Sequence, residues 1–317
     1  MTYLNFPSEF SINSLSGSAD RQPDVPGRFQ HTLADDPLLS LSALAELARR
    51  LDRDRVEYNS GKVEPGQHPD DIGAVDLAPD EVVRQIETCG AWMVLKHVET
   101  VPAYKALLEQ CLTDAAIASG RSNLADAGID DIQGFIFVAS ANSVTPFHVD
   151  YEQNLFVHLK GPKAMHVFDN RDRSFLSEED LETYPGKHRN LPYRPEFEDR
   201  ATIYEFAPGD GLFLPYTWPH WVRTGDAPAV SMAITWKSRD ILQNNQLMFA
   251  NAVLRKVKLP QPVPGRYPFY DRLKISAFST ARALIEPLRR SERSRRLLRG
   301  LFFGKKANYF YNSEKKA

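Results

Sequence analysis

His148 and Asp150 stand two residues apart in Thr145-Pro146-Phe147-His148-Val149-Asp150, and His220 follows 72 residues after His148 in Trp218-Pro219-His220. In an extended strand, residues i and i+2 point to the same face, so one imidazole and one carboxylate reach a common point from one strand end. His220, in a second strand-like stretch, offers a third ligand. Two histidines and one carboxylate form the facial set that suits Fe(II), with positions left open for a co-substrate and O₂. Two other readings of the triad stay open: core polar residues of a non-catalytic barrel, or ligands of a different metal used for hydrolysis. His158 and His166 lie on strand-like stretches nearby and are read as core histidines. Trp218, Trp221 and Tyr216 surround His220 and are expected to pack around it.

The elements that would carry these residues are mostly strands. "IQGFIFVAS" is a continuous apolar run and reads as a buried strand. In "NLFVHLKGPKAMHVFD", Leu155, Val157 and Leu159 alternate with Phe156 and His158, and Lys160-Gly161-Pro162-Lys163 reads as the turn of a hairpin. "AVSMAITWKS" reads as a closing strand. Residues 169–200 are charged, contain four prolines or glycines, and read as an insertion of the kind that lines a substrate mouth. Ahead of these strands, Ser40–Leu51 keeps a 3.6-residue apolar period with Ser40 as its cap, and helices are expected at 80–87 and 102–118 around a strand at 91–99. Residues 1–36 read as an arm with a short strand. Behind the strands, helices are expected at 240–257, 271–286 and 288–303, with the proline-rich "LPQPVPGRYP" between the first two.

The chain has 317 residues, 42% hydrophobic and 25% charged, which fits a globular protein able to bury a core without disulfides. Cys89 and Cys111 make no ligand cluster; reduced thiols in a cytoplasmic protein are expected, and a disulfide between them is the alternative. The first residues lack a basic start and apolar run, so no signal peptide is expected, and no apolar run approaches membrane-spanning length. Net charge is −2, yet residues 251–317 hold 17 Lys+Arg against 4 Asp+Glu, while the remainder holds 22 against 37. Such a basic segment suits an acidic partner, nucleic acid or phospholipid. The reading favoured here is a solvated helix face or a helix pair that dimerises, because Leu and Phe punctuate the basic run.

Here the residues resemble a family. Thr145-Pro146-x-His148-x-Asp150, then Gln153-Asn154, then Lys160-Gly161-x-Lys163 resembles the JmjC-type cupins, Fe(II)/2-oxoglutarate-dependent dioxygenases that include the asparaginyl hydroxylase inhibiting the hypoxia-inducible factor. Gly209, Pro215 and His220 keep the spacing of the second cupin motif. The resemblance covers roughly residues 130–240 and implies a double-stranded β-helix, or jelly-roll, with N-terminal α/β support. It also implies Fe(II) held by His148, Asp150 and His220, and 2-oxoglutarate converted to succinate and CO₂ as a substrate is hydroxylated. By the same resemblance Lys163 anchors the distal carboxylate of 2-oxoglutarate, with Lys160 as its alternative, Thr145 adds a hydroxyl, and Asn154 lies near the chelating end. The chain departs from the pattern at Thr224 and at "AITW", where the family places asparagines; that puts the co-substrate contacts in question rather than the metal.

The expectation is therefore a mainly β protein with flanking helices, divided into support (1–125), barrel (126–240) and basic helical region (241–317). It is expected to act as a hydroxylase on a protein side chain or a small molecule, and a homodimer through the C-terminal helices is one possible assembly. The competing function is a non-catalytic cupin that binds a ligand or a regulatory partner.

Overall fold

Twelve strands and six α-helices follow one another in the computed structural model, which describes residues 2–12, 24–67, 71–182 and 191–285, with Ser294 and Leu297. The N-terminal part runs β1 (Leu4–Asn5), β2 (Gly27–His31), α1 (Leu41–Arg50), β3 (Val56–Ser60), α2 (Pro79–Arg84), β4 (Ala91–Lys96) and α3 (Pro102–Ala118). Next come β5 (Asp130–Ala139), β6 (Val144–His148), β7 (Gln153–Lys160), β8 (Lys163–Val167), α4 (Glu178–Leu181), β9 (Thr202–Phe206), β10 (Asp210–Leu214), β11 (His220–Thr224) and β12 (Ala229–Lys237). The chain then enters α5 (Arg239–Lys256) and α6 (Pro268–Ile285). Of the helix expected at 288–303, only Ser294 and Leu297 lie among the described residues. Ser40 caps α1 as expected, its hydroxyl accepting from the Ala43 amide at 3.3 Å.

The strands form two sheets. The larger has the order β1-β2-β10-β7-β12-β5-β4-β3 and the smaller the order β6-β11-β8-β9, with antiparallel pairing throughout. The two-residue period of the strands sorts side chains between two cores. On one face of the large sheet, Leu155, Val157, Ile136, Met232 and Ile234 pack with Leu44, Leu47, Val83, Leu108 and Leu112 of the helices. On the other face, Phe156, Leu212 and Leu214 meet Met165, Val167 and Val222 of the small sheet. This is the mostly antiparallel, cupin-like architecture expected, with N-terminal helices as its outer support.

One expectation is corrected. β7 and β8 are not a hairpin, because they belong to different sheets. Both edges of β7 are already taken, by β10 and β12, so β8 turns away and pairs with β11 and β9. Lys160–Lys163 is thus the corner between the sheets. Gly161 has φ +77, and a Cβ there would sit 2.0 Å from the Pro228 carbonyl oxygen.

The chain separates into two compact units: Met1–Asp169 with Pro192–Asp240, and Asn170–Leu191 with Ile241–Ala317. The insertion read at 169–200 is therefore divided between them. Within the second unit, buried polar groups hold α4, α5 and α6. Glu182 accepts from Asn251 at 3.0 Å and pairs with Arg255; Lys274 donates to Asn251 at 2.7 Å and lies 3.2 Å from Asp271. No helix among the described residues is long and apolar enough to cross a membrane.

Candidate metal centre

β6 is an edge strand, the place where proline is tolerated because its missing N–H leaves no gap in a ladder. Its pairing with β11 shifts between His148↔His220 and Thr145↔Val222, so two residues of β6, Pro146 and Phe147, oppose Trp221 alone. The extra residue is a bulge around Pro146, and it resets the alternation so that Thr145 and His148 share a face. The chain then turns, and Asp150 follows before β7 begins. The segment leading into β11 is stitched to it: the Thr217 amide donates to the Asp150 carbonyl at 2.8 Å, and the Tyr216 amide donates to Gln153 Oε1 at 2.9 Å. Thr217 has φ +59, a conformation unusual for a β-branched residue and held here by that hydrogen bond.

These constraints bring the three predicted side chains together. Ligand atoms of His148, Asp150 and His220 all lie within 4.8 Å of one another. His148 Nε2 is 3.9 Å from Asp150 Oδ1, and His220 Nε2 is 3.8 Å from Asp150 Oδ2. Each imidazole is turned by its other nitrogen: His148 Nδ1 donates to the Pro146 carbonyl at 2.7 Å, and His220 Nδ1 donates to the Trp218 carbonyl at 2.9 Å. A proton on Nδ1 leaves the lone pair on Nε2, facing the carboxylate. Burial, then the neighbouring His148, pushes the His220 pKa down to about 4, so it is a neutral base at physiological pH. Two imidazoles and one carboxylate whose ligand atoms converge in this way fit a divalent first-row metal. Asn154 Nδ2 donates to Asp150 Oδ2 at 3.5 Å, and Asn154 Oδ1 is buried with no hydrogen-bond partner among the described residues.

Lys163 lies on the same face of the small sheet. β8 and β11 register His220 with Val167 and Thr224 with Lys163, so the two side chains share a face four residues apart. Lys163 is buried, and among the described residues the only partner of its Nζ is the Ser231 hydroxyl at 2.6 Å. Loss of water lowers its pKa to about 7. Lys160 is exposed, so of the two lysines Lys163 is the one inside. The Thr145 hydroxyl accepts from Trp92 Nε1 at 2.9 Å. Thr224 is committed elsewhere: its hydroxyl donates to the Ser140 carbonyl and accepts from the Ser143 amide, fixing the β5–β6 connection.

The sequence reading missed Ser231 and Trp92. Ser231 had a signal, being a polar residue inside the apolar run of β12. The two histidines left out of the triad have other partners. His158 Nε2 approaches the Gly161 carbonyl at 2.5 Å, and its pKa is lowered to about 4 by burial. His166 pairs with Glu198 and stacks on Trp221 at 3.9 Å, with Tyr193 donating to the same carboxylate at 2.6 Å. Trp218 packs in the core between the sheets, whereas Trp221 lies with His166 on the other face of the small sheet.

Residues 106–240 match the family described as the cupin-like domain. Among solved structures the chain is similar to YcfD of Escherichia coli, at 15% identity and TM-score 0.44, over 85% of this chain and 66% of that one. A second structure of the same protein, titled a ribosomal oxygenase in complex with cobalt and 2-oxoglutarate, aligns at 16% identity and TM-score 0.42, over 88% and 67%. The DMSP lyase DddQ of Ruegeria pomeroyi DSS-3 aligns over 35% of this chain and 41% of its own, at 17% identity and TM-score 0.23. The chain spans about two thirds of the length of the YcfD chains. No curated protein matches it.

Proposed function

We infer that the protein is an Fe(II)- and 2-oxoglutarate-dependent oxygenase of the hydroxylase type. The observation that carries this reading is a facial His148–Asp150–His220 set on the same barrel face as a buried lysine with no carboxylate partner among the described residues. A buried ammonium is costly unless an anion joins it. Lys163 therefore calls for a carboxylate, while the triad calls for a metal. Four residues of strand separate Lys163 from the His220 level, roughly 13 Å at the usual rise.

Bound Fe(II) with 2-oxoglutarate supplies O₂ activation coupled to decarboxylation, giving succinate, CO₂ and an oxidised substrate. The residues of this chain do the positioning. His148 and His220 hold their Nε2 atoms inward through the Pro146 and Trp218 carbonyls, and Asn154 steadies the Asp150 carboxylate. Lys163, with Ser231, receives the distal carboxylate; Thr145 on the bulged strand and Trp92 of β4 form a hydroxyl–indole pair. Met165, Val167 and Phe156 make the surroundings apolar, which strengthens each of these contacts.

Anaerobic titration of the Fe(II)-loaded protein with 2-oxoglutarate tests this. A saturable visible charge-transfer band, absent in Asp150→Ala, is expected, followed in air by succinate formation. Bound metal without a band would instead favour a cupin that binds a ligand or partner.

A further inference from the structure

Seven of the twelve large hydrophobic side chains exposed among the described residues fall between Val257 and Leu273. Phe269 is 77% exposed, Val257 64% and Leu273 57%, and Leu259, Tyr267 and Tyr270 accompany them. Beneath them lies a buried ion pair: Asp271 and Lys274 are paired at 3.2 Å, and Lys274 also donates to the buried Asn251. The large apolar groups of the segment stay outside. A concentrated apolar patch on a protein surface marks an interaction site.

The charges left at the surface identify its occupant. Lys258, Arg266 and Arg272 are exposed, and the only acid between residues 257 and 285 is the buried Asp271. A second copy of the chain would set this stretch against itself, positive against positive. Nucleic acid would engage the arginines and tyrosines but would leave Val257, Leu259 and Leu273 facing phosphate and water. An anionic lipid surface accommodates both kinds of group. Apolar side chains enter the boundary between headgroups and acyl chains, tyrosines sit at the interface, and Lys and Arg stems extend to the phosphates. The sequence continues in the same composition, with eight Lys+Arg and one Glu between residues 289 and 306 around "LLRGLFF". We propose that residues 256–273 form a peripheral docking surface for anionic membranes.

The test is flotation of the full chain with mixed phosphatidylcholine–phosphatidylglycerol vesicles and with phosphatidylcholine alone. The protein floats with the anionic vesicles, stays behind with the neutral ones, and is released by salt. Arg266→Gln with Arg272→Gln weakens the anionic binding about 25-fold, at about fivefold per surface charge. Phe269→Ser with Leu273→Ser weakens it at least about tenfold. All four side chains are exposed, so thermal melts of both variants match the parent and separate lost docking from lost fold. No flotation, or equal flotation with neutral vesicles, overturns the proposal. So does a dimer at sedimentation equilibrium that Phe269→Ser with Leu273→Ser dissociates, since a second copy would then cover the patch. Tighter binding of an oligonucleotide than of the vesicles, lost in the same variants, overturns it as well.

Discussion

Lys163 is the residue whose environment is least balanced in the protein alone. Its ammonium has a hydroxyl for company, Phe156 lies 5.6 Å away, and His158, which also faces it, is neutral. Replacing it with methionine keeps the volume and removes the charge. Lys163→Met is expected to raise the melting temperature of the ligand-free protein, because a buried unpaired charge is removed. The same change is expected to weaken 2-oxoglutarate binding about 100-fold, the loss of one charged pair, while Fe(II) affinity stays within about twofold. Equal loss of both ligands would point to misfolding. The parent protein is expected to show a matching pH dependence in denaturation at several pH values, set by Lys163. Its folded pKa of about 7 lies below the ordinary 10.5. Between those values the unfolded chain holds a proton that the folded chain does not, so stability of the ligand-free protein rises with pH across that window. A bound carboxylate restores the proton, so 2-oxoglutarate affinity falls about tenfold per pH unit above about 7. The triad itself was legible because an i, i+2 pair and a distant histidine are patterns of type and spacing. Ser231 stood out only as a polar residue in an apolar run; its role was hidden, because it depends on which strand lies across the barrel from β8.

At the scale of elements, local periodicity placed the strands, and pairing had to come from the rest of the chain. The alternation in β7 read correctly: Leu155 and Val157 enter the helix-side core and Phe156 the barrel core. The Lys-Gly-Pro-Lys segment satisfies turn chemistry whether it closes a hairpin or rounds a corner. Only the occupation of both edges of β7 decides between them, and that information lies in β10 and β12, more than 50 residues downstream. The Pro146 bulge was hidden for a similar reason, since a bulge is a count of residues against a partner strand. Gly161→Ala tests the corner directly. The new Cβ meets the Pro228 carbonyl and the backbone keeps φ +77, so the change is expected to destabilise the fold by about 3 kcal/mol in urea denaturation. A loss below about 1 kcal/mol would mean that the two sheet-joining segments do not approach so closely.

Across the whole molecule, one lysine of the basic region, Lys274, proves to be interior. A basic run beside scattered acids reads as solvated surface, because sequence alone does not distinguish a buried lysine from an exposed one. In the second unit, Lys274, Asp271, Asn251, Gln261 and Glu182 are all buried. The network joins α5 to α6, through Lys274 and Asn251, and α5 to the insertion, through Asn251, Arg255 and Glu182. Lys274→Met would leave the Asp271 carboxylate buried with the Gly265 amide as its remaining donor, and Asn251 Oδ1 without its ammonium. Breaking one side of a buried pair in this way costs about 3–5 kcal/mol. Hydrogen exchange should accordingly quicken in α4, α5 and α6. The triad lies wholly within the first unit, so Fe(II) binding should persist. Lys274→Met combined with Asp271→Leu removes the pair together and should recover much of the loss, since apolar replacements of a buried ion pair are close to neutral. Recovery would identify the charge imbalance as the cause. A double variant as unstable as the single one would instead assign the effect to Lys274's bond with Asn251, and so to the contact between α5 and α6.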